Sequence, residues 1–79
     1  MLRIKVKLFA TIRDAAGVNA VEVDAHTVAD AARALSQQFP AAAQLIARSR
    51  FAVNQSFAPA ETMLGEHDEV AVIPPVSGG

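Results

Sequence analysis

The chain has 79 residues, 52% of them hydrophobic, contains no cysteine, and carries a formal net charge of −1 at pH 7. A domain of this size buries only about 60% of the surface of its unfolded chain, so a deep catalytic pocket is not expected beside the core. The lack of cysteine excludes a disulfide framework and a cysteine-ligated metal site. The near-neutral charge is atypical of nucleic-acid-binding proteins, which carry a clustered basic excess.

The first residues alternate charged and apolar side chains, whereas a secretion signal has a continuous apolar run. No run approaches the roughly 18 apolar residues of a membrane span. We therefore expect a single domain over residues 1–79 that is cytoplasmic and has no membrane or nucleic-acid partner. Arg3, Lys5 and Lys7 fall on one face of the first predicted strand, and we interpret this basic stripe as a solvated sheet face.

A two-stranded hairpin is predicted at the N-terminus. Residues 2–9, LRIKVKLF, alternate strictly, which predicts a strand with one buried face. AVEVD at 20–24 alternates again and predicts the second strand, with DAAGVN around Gly17 as the turn between them. The inward residues of the first strand are expected to be Leu2, Ile4, Val6 and Leu8, and the outward residues Arg3, Lys5, Lys7 and Phe9.

A helix is predicted to begin after Thr27. The sequence TVAD has the outline of a capping box, with a hydroxyl at the N-cap and Asp30 three residues later. Pro40 is expected to end this helix, and the alanine-rich stretch over 41–48 predicts a second, shorter one. The apolar stripe of the main helix consists of Val28, Ala31, Ala32, Leu35 and Phe39.

The C-terminal half predicts two or three more strands. FAVNQ at 51–55 and EVAVI at 69–73 are expected to be strands. SFAPAET between them is predicted to be a loop or a short edge strand, because Pro59 interrupts it. This order indicates an α+β fold with a mixed four- or five-stranded sheet and one main helix packed on one face. We expect the first and last strands to pair at the centre, so that the last strand leads into the C-terminal tail.

Residue types common in catalytic sites are scattered along the sequence. His26 and His67, the two histidines, each lie in a polar turn region, whereas metal sites need clustered ligands at defined spacing. The serines have neither a glycine elbow nor an evident histidine base. We therefore predict no metal site and no bound cofactor.

The C-terminal segment PPVSGG combines the stiffest residues with the most permissive ones. Pro74 and Pro75 hold the backbone extended, whereas glycines, which lack a Cβ, can pass through channels too narrow for other residues. The α-carboxylate of Gly79 is then the tip of a slender, flexible tail and becomes reactive once another enzyme activates it, for instance as a mixed anhydride with AMP. The predicted functional tail, residues 74–79, consists of Pro74, Pro75, Val76, Ser77, Gly78 and Gly79, with Gly79 as the reacting residue.

Five stretches of the sequence together resemble one known family: FATIRDAAG after the first strand, TVADAARAL opening the helix, AVNQ in the third strand, DEVAVIPPV across the last strand, and the final SGG. With this spacing the chain resembles, over essentially its whole length, the molybdopterin synthase sulfur-carrier (small) subunits of the MoaD/ThiS family of ubiquitin-like β-grasp proteins. It departs from the family pattern at Asp14, where Glu is frequent, and at Ile73, where an aromatic residue is frequent.

The resemblance implies a carrier that is not an enzyme on its own. An E1-like enzyme would consume ATP to adenylate Gly79, and a sulfur donor system would convert the adenylate to a thiocarboxylate. The tail would then enter the active site of the large synthase subunit and supply sulfur for the dithiolene of molybdopterin, made from a cyclic pyranopterin monophosphate. The catalytic groups would belong to the large subunit.

A partner-binding face is predicted beside the tail. Phe9 and Ile73 are expected on the sheet face opposite the helix, on neighbouring strands, where adjacent exposed apolar residues mark interaction sites. Arg13, which we place at the end of the first strand, is a candidate for a charged contact at the same rim.

Three other functions are compatible with this fold and tail. A thiamine-pathway sulfur carrier would use the same thiocarboxylate, although such carriers usually lack the Pro-Pro-Val before the glycines. A ubiquitin-like modifier would attach Gly79 to lysines, and a bare interaction domain would leave the tail unused. Because one fold hosts many functions, the fold alone does not separate them.

Overall fold

A computed structural model describes residues 2–75, which form five strands and three α-helices. No helix in this range is long and apolar enough to cross a membrane. In chain order the elements are β1 (Arg3–Leu8), α1 (Ala10–Ala16), β2 (Ala20–Asp24), α2 (Val28–Gln38), a 3-10 turn (Pro40–Ala42), α3 (Ala43–Ala47), β3 (Arg50–Val53), β4 (Ser56–Ala58) and β5 (Glu69–Ile73).

The strands form one mixed sheet in the order β2-β1-β5-β3-β4. β1 and β5 pair in parallel, with Val6 opposite Val70, and every other pairing in the sheet is antiparallel. The prediction that the first and last strands pair centrally is confirmed. Of the four- and five-stranded alternatives, the five-stranded sheet is correct, because the segment after Gln55 forms the edge strand β4.

The core lies between the inner face of the sheet and α2. Alternation along β1 and β5 sends every second side chain inward, and the apolar stripe of α2 covers these residues. The buried side chains include Ile4, Val6 and Leu8 from β1, Val70 and Val72 from β5, and Val28, Ala31 and Leu35 from α2.

The predicted cap of α2 is confirmed. The Thr27 Oγ1 accepts a hydrogen bond from the Asp30 backbone N–H at 3.1 Å, which satisfies one of the free amides of the first turn. The Asp30 carboxylate reaches back to the His26 N–H at 3.2 Å. This bond is the main cause that lowers the pKa of Asp30 below its ordinary value, and the Thr27 hydroxyl and the nearby Arg33 add to it.

The turn predicted between the first two strands is in part wrong, because α1 occupies Ala10–Ala16. Its single buried residue is Ile12, which is 1% exposed. The helix ends at Gly17, whose left-handed backbone (φ 80°) lets its N–H donate to the Arg13 carbonyl at 2.8 Å. Arg13 therefore lies on a helix and not at the end of β1.

The remaining segments follow the prediction with shifted boundaries. The second helical stretch is divided into the 3-10 turn and α3, with Ile46 buried and Leu45 packed against the core. β3 ends at Val53, two residues earlier than expected, because Asn54 and Gln55 form the turn to β4.

Candidate functional site

The outer face of the sheet, opposite α2, is charged at one end and apolar at the other. At the charged end Lys5 lies between Glu22 of β2 and Glu69 of β5. Beyond them one row crosses four strands: Lys7 is opposite Ala71, Ala71 is opposite Ala52, and Ala52 is opposite Phe57. Two alanines between larger side chains leave a depression in the sheet surface.

This depression, which we call the outer groove, has a volume of about 260 Å³. Phe9 and Phe57 border it and are 45% and 57% exposed, which is high for large apolar side chains. Exposed apolar residues that are contiguous, unlike scattered ones, are typical of interaction sites. The groove is lined by Lys7, Phe9, Ala52, Gln55, Phe57, Glu69, Val70, Ala71 and Ile73.

Charged groups border the apolar surface on two sides. Lys7 Nζ lies 3.8 Å from Glu69 Oε2 at one rim. At the other, the guanidinium of Arg50 lies over the Phe57 ring, 4.0 Å from its centroid, in the geometry of a cation–π contact. The guanidinium therefore covers one side of the Phe57 ring.

Unusual backbone conformations also cluster around the outer groove. Among residues 2–75 the non-glycine residues with positive φ are Ala10 (49°), Asn54 (52°) and Gln55 (72°). Ala10 directly follows the groove residue Phe9, and Gln55 itself lines the groove. Such conformations cost free energy and concentrate at functional sites, which supports a functional role for this face.

The structure brings two of the three predicted partner-face residues together. Phe9 and Ile73 both line the outer groove, on the sheet face where they were expected, although Phe9 directly follows β1 and is not part of it. Arg13 is outside this lining and lies 3.8 Å from Asp14 on α1, so its role in a charged partner contact stays a prediction. The sequence did not predict that Phe57 belongs to this site. The sign that pointed to it was an apolar residue in the short edge strand.

The groove leads to the predicted tail. Pro74 and Pro75 directly follow Ile73 at the end of β5 and lie outside regular secondary structure. The other predicted tail residues, Val76, Ser77, Gly78 and Gly79, lie outside the described residues. Within residues 2–75 His26 and His67 are exposed, and no group of three potential metal ligands occurs.

A mixed sheet with a central parallel pair, one main helix across its inner face and an apolar groove on its outer face defines a ubiquitin-like β-grasp protein. The model of the ThiS family matches residues 6–79 of the chain. The chain therefore belongs to the ThiS family.

Individual relatives agree with this assignment. The molybdopterin synthase sulfur carrier subunit of Mycobacterium tuberculosis is 39% identical over 100% of both chains. Small archaeal modifier protein 1 from Methanosarcina acetivorans has a TM-score of 0.89 at 30% identity, covering 100% of this chain and 98% of that one. A Helicobacter pylori chain, solved in a complex of subunits 1 and 2 of molybdopterin-converting factor, shares the fold with a TM-score of 0.72 at 22% identity, covering 99% and 100%.

Proposed function

We propose that this chain is the sulfur carrier subunit of a molybdopterin synthase and carries sulfur as a thiocarboxylate on Gly79. The observation that carries the proposal is the 39% identity to a sulfur carrier subunit over the whole of both chains. The match of the family model extends to residue 79 and so includes the SGG segment. The carrier has no enzymatic activity alone.

The chemistry begins at the α-carboxylate of Gly79. In the activating enzyme, a carboxylate oxygen attacks the α-phosphorus of ATP and pyrophosphate leaves, which gives an acyl-adenylate. Sulfide supplied by the donor system then attacks the carbonyl carbon, loses its proton to solvent, and AMP leaves. The product is a thiocarboxylate, and the chain, which contains no cysteine, carries no competing thiol.

The second stage requires the large synthase subunit, which holds the pyranopterin precursor. We propose that the large subunit docks on the outer groove, because β5, which contributes Ile73 to the groove, continues directly into Pro74. Six extended residues span at most about 20 Å. A partner seated on the groove can therefore take residues 74–79 into an active site within that distance.

The test of the proposal is the intact mass of the chain. Incubation with an E1-like activating enzyme, ATP and a sulfur donor is expected to add the mass difference of one oxygen-to-sulfur exchange. An iodoacetamide-type reagent should then alkylate the C-terminus alone. In a second sample that has not been alkylated, addition of the large synthase subunit and the pyranopterin precursor should restore the original mass.

Two results would contradict this function. Consumption of the thiocarboxylate by a thiazole-forming enzyme, with no reaction in the presence of the large synthase subunit, would establish a thiamine-pathway carrier. Gly79 in isopeptide linkage to lysines, with no thiocarboxylate, would establish a modifier. The modifier is the second candidate because the fold superposes closely on that of small archaeal modifier protein 1.

A further inference from the structure

The turn between β3 and β4 contains a residue of a type that disfavours the backbone conformation it adopts there. Val53 pairs with Ser56, so Asn54 and Gln55 form a two-residue hairpin loop. Both have positive φ, at 52° and 72°, as a type I′ turn requires. Asn tolerates this conformation well, but the second position of such turns favours glycine. Gln55 is therefore at the less suitable of the two positions.

A network of hydrogen bonds holds the turn in this strained form. The Asn54 Oδ1 accepts from the Glu69 N–H at 3.0 Å, and the Asn54 Nδ2 donates to Asp68 Oδ1 at 2.9 Å. The backbone N–H of Asn54 also donates to the Glu69 carbonyl at 2.8 Å. Since these bonds fix Asn54 against the start of β5, the position of Gln55 is fixed as well.

The fixed position places Gln55 at the outer groove. Gln55 lines the groove together with Phe57, Lys7 and Glu69. Within residues 2–75 the carboxamide of Gln55 makes no hydrogen bond, whereas Lys7 and Glu69 are paired with each other. The groove therefore has one carboxamide, a group that both donates and accepts, available beside its apolar surface.

We propose that Gln55 is a specificity-determining residue of this groove, whose carboxamide hydrogen-bonds a polar group of the large synthase subunit, such as a backbone amide. The proposal rests on the proposed function. A buried interfacial hydrogen bond adds selectivity because a mismatched partner leaves its polar groups unpaired. The strain at Gln55 is retained because the turn conformation carries this carboxamide to the groove.

The test compares stability and binding in two variants. Gln55→Gly removes both the strain and the carboxamide, and Gln55→Met keeps the length of the side chain and the strain but removes the carboxamide. We expect Gln55→Gly to raise Tm by about 3 °C, because relief of the left-handed strain exceeds the added entropy of glycine in the unfolded chain. We expect Gln55→Met to leave Tm within about 2 °C of the wild type, since exposed substitutions have small effects.

Both variants are expected to bind the large subunit about tenfold more weakly in a titration, as is typical for the loss of one interfacial hydrogen bond. The matched control is Gln37→Met, at an exposed position of α2, which should bind as the wild type does.

The result that overturns the inference is a Gln55→Gly or Gln55→Met variant that binds as tightly as the wild type, or a Gln55→Gly variant that is no more stable. Either result leaves the proposed function standing, provided that the wild-type chain still binds the large subunit and delivers its sulfur. A wild-type chain that does neither overturns the proposed function, and this inference with it.

Discussion

Asn54 and Asp68, fourteen positions apart in the chain, join two turns through a 2.9 Å hydrogen bond from the Asn54 Nδ2 to Asp68 Oδ1. The second carboxylate oxygen of Asp68 accepts from the Gly65 N–H at 2.7 Å. The Gly65 N–H is the main cause that lowers the pKa of Asp68 below its ordinary value of 3.8, and the Asn54 carboxamide adds to it. One carboxylate thus stabilises both the turn before β5 and the turn beside the outer groove.

This lowered pKa predicts a pH-dependent contribution to stability. Because the folded state favours the ionised form, the contribution of Asp68 is fully present well above pH 3.8 and is lost as the pH falls through the folded-state pKa. Asp68→Asn, which mimics the protonated form, should lower the urea midpoint at pH 7. The difference from the wild type should shrink at pH 3.

The matched control for this prediction is Asp24→Asn, at an exposed position on the edge strand β2. The Asp24 carboxylate accepts no hydrogen bond within residues 2–75, so its replacement should change the midpoint little at either pH. A difference between Asp68→Asn and the wild type that stays constant from pH 7 to pH 3 would contradict the assigned role.

Substitution by alanine is expected to destabilise the fold at Gly17 and to have little effect at Gly65. Gly17 has φ 80° and open space around the position of a Cβ, so Gly17→Ala introduces backbone strain without a clash. We expect this variant to lose about 1 kcal/mol of unfolding free energy, seen as a Tm lower by roughly 4–8 °C. At Gly65, outside the left-handed region, a Cβ would meet Asp68 Oδ2 at 3.6 Å, an ordinary contact.

Gly65→Ala should therefore stay within about 0.5 kcal/mol of the wild type. Thermal melts of the two variants beside the wild type provide the measurement. Equal destabilisation by both substitutions would show that the left-handed conformation of Gly17 is not the cause of the stability loss in Gly17→Ala.

Substitutions at two neighbouring residues of β5 test partner binding and folding separately. Ile73 lines the outer groove and is only half-buried, whereas Val72 lies in the core. We expect Ile73→Lys to weaken binding to the large subunit by about 2 kcal/mol, in the range of an interface anchor, with little change in Tm. Val72→Lys should instead prevent folding, because it buries an unpaired charge.

A binding titration of Ile73→Lys beside its melting curve distinguishes the two effects. Loss of Tm in proportion to the loss of affinity would place Ile73 in the core and contradict its assignment to the groove.

Much of this architecture could be predicted because its main elements have regular periods. Alternation in β1 and β5 and the stripe of α2 each involve two or more buried residues, so the pattern is repeated enough to be recognised. α1 could not be predicted in this way, since Ile12 is its only buried residue and its N-cap Phe9 makes no side-chain cap. The error at Arg13 follows from the missing helix.

Only those residues of the candidate site that lie at or beside the ends of recognised strands could be predicted from the sequence. The sheet face of Phe9 and Ile73 was predicted correctly because Ile73 ends β5 and Phe9 directly follows β1, and both strands were recognised as central. Phe57 was not, because its position depends on the register of β3 with β4, which sets Ala52 opposite Phe57. That register is determined by the Asn54–Gln55 turn, where the preferred glycine is absent and the usual sequence signal for a tight hairpin is weak.

The two C-terminal glycines carry the proposed chemistry and should be needed for sulfur transfer. Deletion of Gly79, or Gly78→Val, should abolish sulfur transfer. The deletion moves the α-carboxylate to Gly78 and shortens the reach by about 3.5 Å. The substitution adds a branched side chain to a segment proposed to thread a narrow channel. Tm should be unchanged, since the described core extends only from Ile4 to Val72. The measurement is molybdopterin formation with the large subunit, together with a thermal melt, with Gln37→Met as the active control. A chain without Gly79 that still supports molybdopterin formation would refute the carrier mechanism.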